Sequence, residues 1–256
     1  MSTRPTVLTY QLWPAYCFED APTYNTWVRL VAVDVHRLRK EPEYPGKDLY
    51  FYLNYPIRFV CVVGVIVAID DINTKYTTLT IDDGSGATLD LKIERILPAQ
   101  QNVDISSNTT ISNLSIISRP GLFEVLVDNH VLDIGTVIKA KGLVTEFRQV
   151  KQLDMKRVWL ITTTDEEVRE WAGIADYKEK VLSIPWHLTA KELRRCSNKM
   201  KSRKKAEREQ DERKAEHEAR QLERHRARNE HLAKRESRLE IRRRKEELMM
   251  NAGALK

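Results

Sequence analysis

The 19 aromatic residues of this 256-residue chain all lie at or before Trp186, and none lies in the 70 residues that follow. Charge divides at the same point. Up to Trp186 the chain has 20 Lys and Arg against 24 Asp and Glu, and from His187 onward it has 23 against 13. A segment that is rich in charge and lacks aromatic residues cannot build a hydrophobic core. We therefore predict a folded, slightly acidic region up to Trp186 and a basic tail over residues 187–256.

The composition of the tail predicts a helix. Between Pro185 and Gly253 it has neither Gly nor Pro, and it is made mostly of Glu, Lys, Arg, Ala, Gln and Leu, which are strong helix formers. Leu232 and Leu239 are seven residues apart, but the heptad register does not continue in either direction. The pattern favours a solvated single helix with i,i+4 pairs such as Glu230–Lys234, or a fluctuating helix, over a coiled coil.

Three strand signals follow one another in the folded region. IRFVCVVGVIVAID, from Ile57, is a long β-branched run with Gly64 near its middle, which marks a bend or a bulge. YTTLTID and ATLDLKI then alternate apolar and polar residues, and the turn sequence DDGSG separates them. These segments predict an antiparallel meander.

An irregular or helical interlude of about forty residues comes next. It contains GLFEVLVDNHVLD, a candidate short helix, and is followed by two more strand signals, TVIKAKGLVTEF and VKQLDMKRVWLI. Three strands, an interlude and two strands are typical of the five-stranded OB-fold barrel, and a sandwich fragment or an SH3-like barrel is the alternative. We predict a mainly β protein with an aromatic N-terminal extension (residues 1–56) packed on a barrel (residues 57–164).

An amphipathic helix is predicted after the barrel, over residues 165–184. DEEVREWAGIADYKEKVL begins with acidic residues, which suit a helix N-terminus, and Pro185 follows its end. An apolar stripe at helical spacing predicts the partner-binding surface of a heterodimerisation helix. Its residues are Val168, Trp171, Ile174, Ala175 and Leu182.

Residues for catalysis are not evident. The pairs Asp70–Asp71 and Asp82–Asp83 lie at predicted turns, where Asp binds backbone amides, and neighbouring strand residues point to opposite faces. The three cysteines and six histidines have no metal-ligand spacing, and no phosphate-binding glycine loop occurs. We expect a protein that is not an enzyme and has no metal or other cofactor, and with no transmembrane segment or signal peptide, no membrane association.

Nucleic-acid binding has more support. OB barrels bind single strands across strands two and three and the loops that join strands one to two and four to five, through aromatic stacking and basic contacts. The candidate DNA-binding residues in these elements are Lys75, Tyr76, Lys92, Lys139, Lys141, Phe147, Arg148 and Lys151. Because the folded region is acidic overall, we expect it to bind DNA weakly unless a partner or the tail contributes.

Several segments resemble one family. The block FYLNYPIRFV (Phe51 to Val60), the strand VVGVIVAID, the turn TIDDGSGA and the segment RQVKQLDMKRVWLI are similar to the Stn subunit of the CST telomere-capping complex, in its fungal branch. The aromatic-rich segment WPAYCFEDAPTYNTWVRLVAVDVHRL resembles the lead-in of that family. The resemblance covers residues 10 to 185.

The resemblance implies an OB-fold protein related to the middle subunit of replication protein A. Such a protein pairs with a small OB-fold Ten subunit through a helix, here Glu166 to Leu182 with Trp171 as its largest apolar anchor. With Ten and the large CST subunit it would bind the single-stranded telomeric overhang in the nucleus, in the telomeric region of the chromosome, restrain telomerase and promote C-strand fill-in by DNA polymerase alpha-primase. We expect no winged-helix domain after Trp186, which leaves the polymerase contacts open.

A different class of function fits the same features. The OB barrel would then be a protein-interaction scaffold, with a coiled-coil tail and no direct role in DNA binding. Binding of a G-rich single strand distinguishes the two hypotheses.

Overall fold

The computed structural model describes residues 10–44, 49–96 and 108–253. The chain divides into two compact units, Met1–Leu193 and Arg194–Lys256. The α-helices are α1 (Ala32–Arg37), α2 (Thr164–Tyr177) and α3 (Ala190–Gly253), with a 3₁₀ helix at Ala15–Asp20 and a π-helical turn at Lys178–Leu182. The strands are β1 (Val28–Arg29), β2 (Tyr50–Tyr52), β3 (Tyr55–Ile57), β4 (Phe59–Asp71), β5 (Tyr76–Asp82), β6 (Thr88–Glu94), β7 (Leu114–Arg119), β8 (Leu122–Val127), β9 (His130–Val131), β10 (Val137–Phe147) and β11 (Val150–Ile161).

Five strands of the first unit pair in a closed ring. β4 pairs with β5, β5 with β6, β6 with β11, β11 with β10, and β10 with β4 again. All of these pairings are antiparallel except that of β6 with β11. Together with the helices that follow, this order is an OB-fold-like architecture. We call these five strands the ring.

Alternation of apolar and polar residues decides which side chains fill the ring. Leu79 and Ile81 on β5 are buried, as are Leu89, Leu91 and Ile93 on β6, while the residues between them are partly or fully exposed. Successive strand residues point to opposite faces, so one face of each strand lines the core and the other faces outward. The strand positions predicted from this alternation are confirmed.

The glycine in the long strand β4 marks the place where that strand changes partners. β4 pairs with β10 up to Val65 and with β5 from Val65 onward, and the β5 register shifts between Ile66 and Ala68. A Cβ atom on Gly64 would lie 2.7 Å from the carbonyl oxygen of Asp82. Only glycine therefore allows the two backbones to approach this closely. Of the bend or bulge that this glycine predicts, the register shift just after it corresponds to the bulge.

The interlude between the third and fourth ring strands differs from the expectation. GLFEVLVDNHVLD, the candidate short helix, forms β8 and β9, which pair with β7 in a three-stranded antiparallel sheet. Asp128 and Asn129, with φ of 50° and 65°, make the tight turn between β8 and β9. Such a turn matches the twist of a hairpin and favours Asn and Asp, so the short-range turn chemistry determines the structure. The helix prediction was wrong.

The N-terminal extension forms an aromatic cluster beside the ring. The ring of Phe18 lies 5.0 Å from that of Tyr44 and 5.7 Å from that of Phe51, measured between centroids. The amide group of Asn54, which is buried, accepts a hydrogen bond from the backbone N–H of Trp186 at 2.7 Å and donates one to its carbonyl at 2.8 Å. The indole N–H of Trp13 donates to the same carbonyl at 2.9 Å. These bonds join the extension to the segment that follows α2.

The turn DDGSG holds the short helix α1. A carboxylate oxygen of Asp83 accepts a hydrogen bond from the backbone N–H of Ala32 at 2.6 Å, and the hydroxyl of Ser85 accepts one from Val33 at 3.1 Å. The first amides of a helix have no partner within it, and side-chain oxygens commonly satisfy them. Asp83 thus has the amide-binding role expected of a turn aspartate.

The helix α3, which begins at Ala190 and makes up most of the second unit, is one continuous helix of 64 residues. Glu230 and Lys234 form an i,i+4 ion pair at 2.7 Å, and Lys205 pairs with Glu209 at 3.9 Å. Pairs of this kind contribute about 0.2–0.5 kcal/mol each to an exposed helix. Across the described residues, no helix is both long and apolar enough to cross a membrane.

We predict that Gly64→Ala lowers the free energy of unfolding of the first unit by about 1–3 kcal/mol, because the new methyl group overlaps the Asp82 carbonyl. Denaturant titration followed by tryptophan fluorescence measures it, since all five tryptophans lie in this unit. Gly173→Ala is the matched control. It meets only the flexible end of the Arg29 side chain and gains helix propensity, so stability should stay the same or rise by up to about 1 kcal/mol. Equal losses in both variants would contradict this account.

Candidate functional site

The helix α2 begins where its sequence signals place it. The hydroxyl of Thr163, the N-cap, accepts a hydrogen bond from the backbone N–H of Glu166 at 3.3 Å, and the Glu166 carboxylate accepts one from Thr162 at 3.3 Å. Asp165, Glu166 and Glu167 occupy the first turn, where negative charge is favourable next to the free N–H groups.

One face of α2 packs against β1, β4 and β11. Ile174 is buried, and the Glu170 carboxylate lies 2.6 Å from the Lys139 ammonium and 3.6 Å from the Arg29 guanidinium. Directly after the end of α2, the Lys178 ammonium lies 2.5 Å from the buried carboxylate of Asp34 on α1. Ion pairs at both ends of the buried face therefore fix which side of the helix points toward the ring.

The opposite face of α2 carries exposed apolar residues. Val168 is 54% exposed and Trp171 is 44% exposed, and Ala175 is exposed one turn further along. Ile174 and Leu182, which we expected on the same partner-binding stripe, are 6% and 1% exposed and lie in the core of the chain. The expectation that all five share one surface is corrected, because a helix that packs on a sheet must bury an apolar face of its own.

The expected DNA-binding residues fall into three groups. The first lies where β4 leads into β5: Lys75 is exposed in the connecting loop, and Tyr76 is the first residue of β5. The ammonium group of Lys92, on β6, lies 4.8 Å from the centre of the Tyr76 ring. An aromatic ring and two cations are thus adjacent, as stacking and phosphate contacts require.

The second group lies at the hairpin between β10 and β11. Arg148 and Gln149 form its two-residue turn with φ of 50° and 68°, and the Arg148 guanidinium lies 5.1 Å from the ring of the exposed Phe147. The Lys151 ammonium instead donates a hydrogen bond to the backbone carbonyl of His36 at 2.9 Å. Phe147 and Arg148 are accessible, whereas Lys151 is used to hold α1.

The third group lies on the outer face of β10 and differs between its two lysines. Lys139 is paired with Glu170 on α2. The ammonium group of Lys141 lies between two indoles, 5.8 Å from the Trp27 ring and 5.1 Å from the Trp159 ring. Sequence reasoning missed both tryptophans, because nothing in the sequence indicates that residues so far apart meet. The signal available was that Trp159 falls at an outward position of its strand.

A cysteine thiol lies beside this third group of residues. Cys61, on the adjacent strand β4, is buried, and its burial raises the pKa of the thiol even though the Lys139 and Lys141 ammonium groups act in the opposite direction. A buried thiol with a raised pKa is a poor nucleophile.

The acid pairs have structural partners. The Asp71 carboxylate accepts hydrogen bonds from the Arg95 guanidinium and from the Ser118 hydroxyl, and Asp83 binds α1 as described above. In the part of the chain that the structure describes, no group of three or more His, Cys, Asp or Glu side chains is arranged to hold a metal ion.

Comparison with known proteins identifies the family. The model of the family described as telomere regulation protein Stn1 matches residues 43–250. The CST complex subunit STN1 of Rattus norvegicus is 26% identical over 133 residues, which are 52% of this chain and 32% of the relative. Protein stn1 of Schizosaccharomyces pombe (strain 972 / ATCC 24843) is 25% identical over 163 residues, which are 64% of this chain and 42% of the relative. The chain thus spans less than half the length of these curated relatives.

Among solved structures, the crystal structure of yeast Stn1 and Ten1 superposes with a TM-score of 0.52 at 17% identity, covering 74% of this chain and 91% of that chain. The likeness supports the OB-fold-like architecture. The match to the family model extends over most of this chain, so the chain belongs to the Stn1 family of telomere regulation proteins.

Proposed function

We propose that this chain is a non-enzymatic subunit of a CST-like or RPA-like complex that caps telomeres by binding their single-stranded DNA. Family membership supports the telomeric role, and the closed order of strand pairing supports assigning the ring as a five-stranded OB barrel. In this proposal the protein acts in the nucleus, at the telomeric region of the chromosome.

The observation that carries the proposal is the exposed stripe on α2. A helix that already buries Ile174 against the ring has no structural need for a half-exposed tryptophan beside that buried face. Trp171, Val168 and Ala175 therefore suit a second protein, and we propose the small OB-fold Ten subunit as that partner. Large aromatic anchors of this kind often dominate the energy of an interface.

The wider assembly follows from the same proposal. With the large CST subunit the complex would limit telomerase and aid C-strand fill-in, with contacts to DNA polymerase alpha-primase. For the DNA itself, we propose contacts at Lys75, Tyr76 and Lys92 and at Phe147 and Arg148. These residues combine accessible aromatic rings with cations that form no ion pair in the described part of the chain.

A binding titration tests the proposed function. A labelled G-rich single strand is titrated with the full chain, alone and with the small OB-fold partner, at about 50 mM and 200 mM salt. Binding that the partner strengthens and that falls with salt supports the proposal. A chain that pairs with its partner but binds no strand at either salt concentration would instead be the interaction scaffold considered in the sequence analysis.

We predict that Trp171→Ala weakens heterodimer formation at least about tenfold, since truncation of a buried interface tryptophan costs about 2 kcal/mol or more. Isothermal titration calorimetry with the small partner measures the change. Trp159→Ala, which removes an indole of similar exposure from β11, is the matched control and should pair like the wild type. Unchanged pairing in a correctly folded Trp171→Ala protein would refute the assignment of this face.

We predict that removing residues 201–256 leaves the stability of the first unit unchanged, because the tail contributes no aromatic side chain to a core. Pairing with the partner should also survive. DNA affinity should fall mainly at low salt, and nuclear accumulation should decrease, because the basic stretches in KMKSRKK and RRRK are lost. Loss of tryptophan-monitored stability or of pairing would show that the tail belongs to the folded region.

A further inference from the structure

Two cations and three aromatic rings lie next to one another along the outer surface of β4, β10 and β11 and the start of β1. The Arg58 guanidinium lies 5.2 Å from the Phe59 ring, and the Phe59 and Trp27 centroids are 5.1 Å apart. The Lys141 ammonium then lies 5.8 Å from Trp27 and 5.1 Å from Trp159. We call these five residues the aromatic track. They come from three distant parts of the sequence and form one continuous line.

The side chains of the track remain accessible. Trp159 is 38% exposed, and the Phe59 and Trp27 rings are partly exposed. The register of β10 and β11 places the exposed Arg157 directly opposite Lys141. Within the described part of the chain, neither of these two cations has a hydrogen bond or an ion pair, so both are available to a ligand.

Charge on this side of the ring is positive. Besides Arg58, Lys141 and Arg157, the surface carries Arg29 and Lys139, which share Glu170 on α2 as a counterion, and Glu166 lines the same pocket as Lys139 and Lys141. One carboxylate cannot neutralise two cations, so Arg29, Lys139 and Glu170 together keep a net positive charge. A polyanion is the ligand class that such a surface favours.

The β5 and β6 part of the ring has the reverse balance. The outward residues of these two strands include three carboxylates and one lysine, while on β11 Asp154, which lies across from Leu143 of β10, is paired with Lys156 at 2.8 Å. A DNA strand that contacts Tyr76 and Lys92 there gains less from counterion release than one that follows the aromatic track. The charged outward residues of β5 and β6 are Asp82, Asp90, Lys92 and Glu94.

A protein ligand fits the aromatic track less well. The cores of protein interfaces are depleted in charged residues, whereas here two cations lie among the three rings. Stacked bases need exposed ring faces, and the phosphates between them need cations, which is the arrangement found along single-strand binding grooves.

We propose that the aromatic track is a contact surface for single-stranded DNA, additional to the loop residues named above, on which bases stack against Trp159 and Trp27 while phosphates contact Lys141 and Arg157. This inference rests on the proposed function, because it assigns part of the strand's path. It predicts that the strand continues from the barrel loops onto the side of the ring that α2 borders.

Two variants of the full chain, paired with its small OB-fold partner, test this surface. The probe is a fluorescein-labelled oligothymidylate of about 12 nucleotides, within the range that OB folds occupy, alongside a G-rich strand of equal length. Trp159→Ala should weaken binding about 5- to 150-fold without changing the salt dependence. Arg157→Ala should lower the slope of log affinity against log salt by about 0.7.

Control variants separate lost contacts from lost structure. Lys156→Ala removes the neighbouring cation, which is already paired with Asp154, and Tyr16→Ala removes an exposed ring from the N-terminal extension, so both should bind like the wild type. Trp159→Phe keeps a stacking ring and should recover most of the affinity. Thermal melts and calorimetry with the partner verify that folding and pairing are intact.

Each result has a defined meaning. If Trp159→Ala and Arg157→Ala bind both strands like the wild type, the aromatic track carries no DNA and the inference fails while the proposed function stands. If the two variants lose the small partner instead, the surface is a protein interface and the inference fails in the same way. If the wild-type pair binds neither strand at either salt concentration, the proposed function itself is refuted.

Discussion

The structure depends on one close backbone approach. Val65 is paired with Val137 of β10 and with Asp82 of β5, so the ring closes only if β4 can turn from one strand to the other at this point. Gly64 allows it, since any side chain there would overlap the Asp82 carbonyl. Once the ring is closed, each outward residue of β10 lies beside fixed positions on β4 and β11, and the surfaces on both sides of the ring follow from that register.

A second level of order comes from polar contacts that hold the added elements to the ring. Glu170 and Lys178 tie the buried face of α2 to β10 and α1, and Asn54 joins the chain after α2 to the N-terminal extension. Burial of Ile174 alone would hold the helix in place but would not set its rotation. The ion pairs set that rotation, because charged groups that leave water must meet their partners. Trp171 is consequently held on the outer side.

Much of the ring could be predicted from the sequence, because burial of every second residue is a local pattern and Leu79, Ile81 and Leu91 show it plainly. Other features depend on tertiary contacts that no local pattern encodes. The hairpin of β8 and β9 was mistaken for a helix because its apolar run fits both periods. The two faces of α2 could not be separated, since Ile174 and Trp171 are both apolar. Trp27 and Trp159 both lie beside Lys141 only because β1, β4, β10 and β11 lie side by side.

The net charge of the folded region is another feature whose meaning the sequence alone does not reveal. It bears directly on DNA binding. Its acidic total predicts weak DNA binding only if charge is spread evenly over the surface. The ring instead separates its charges, with Asp82, Asp90 and Glu94 on β5 and β6 and Lys141 and Arg157 on β10 and β11. A DNA strand is affected mainly by charges within about 8–10 Å, because salt screens more distant charges. The local sign along its path therefore determines affinity, and an acidic folded region can offer a basic surface without the help of the tail.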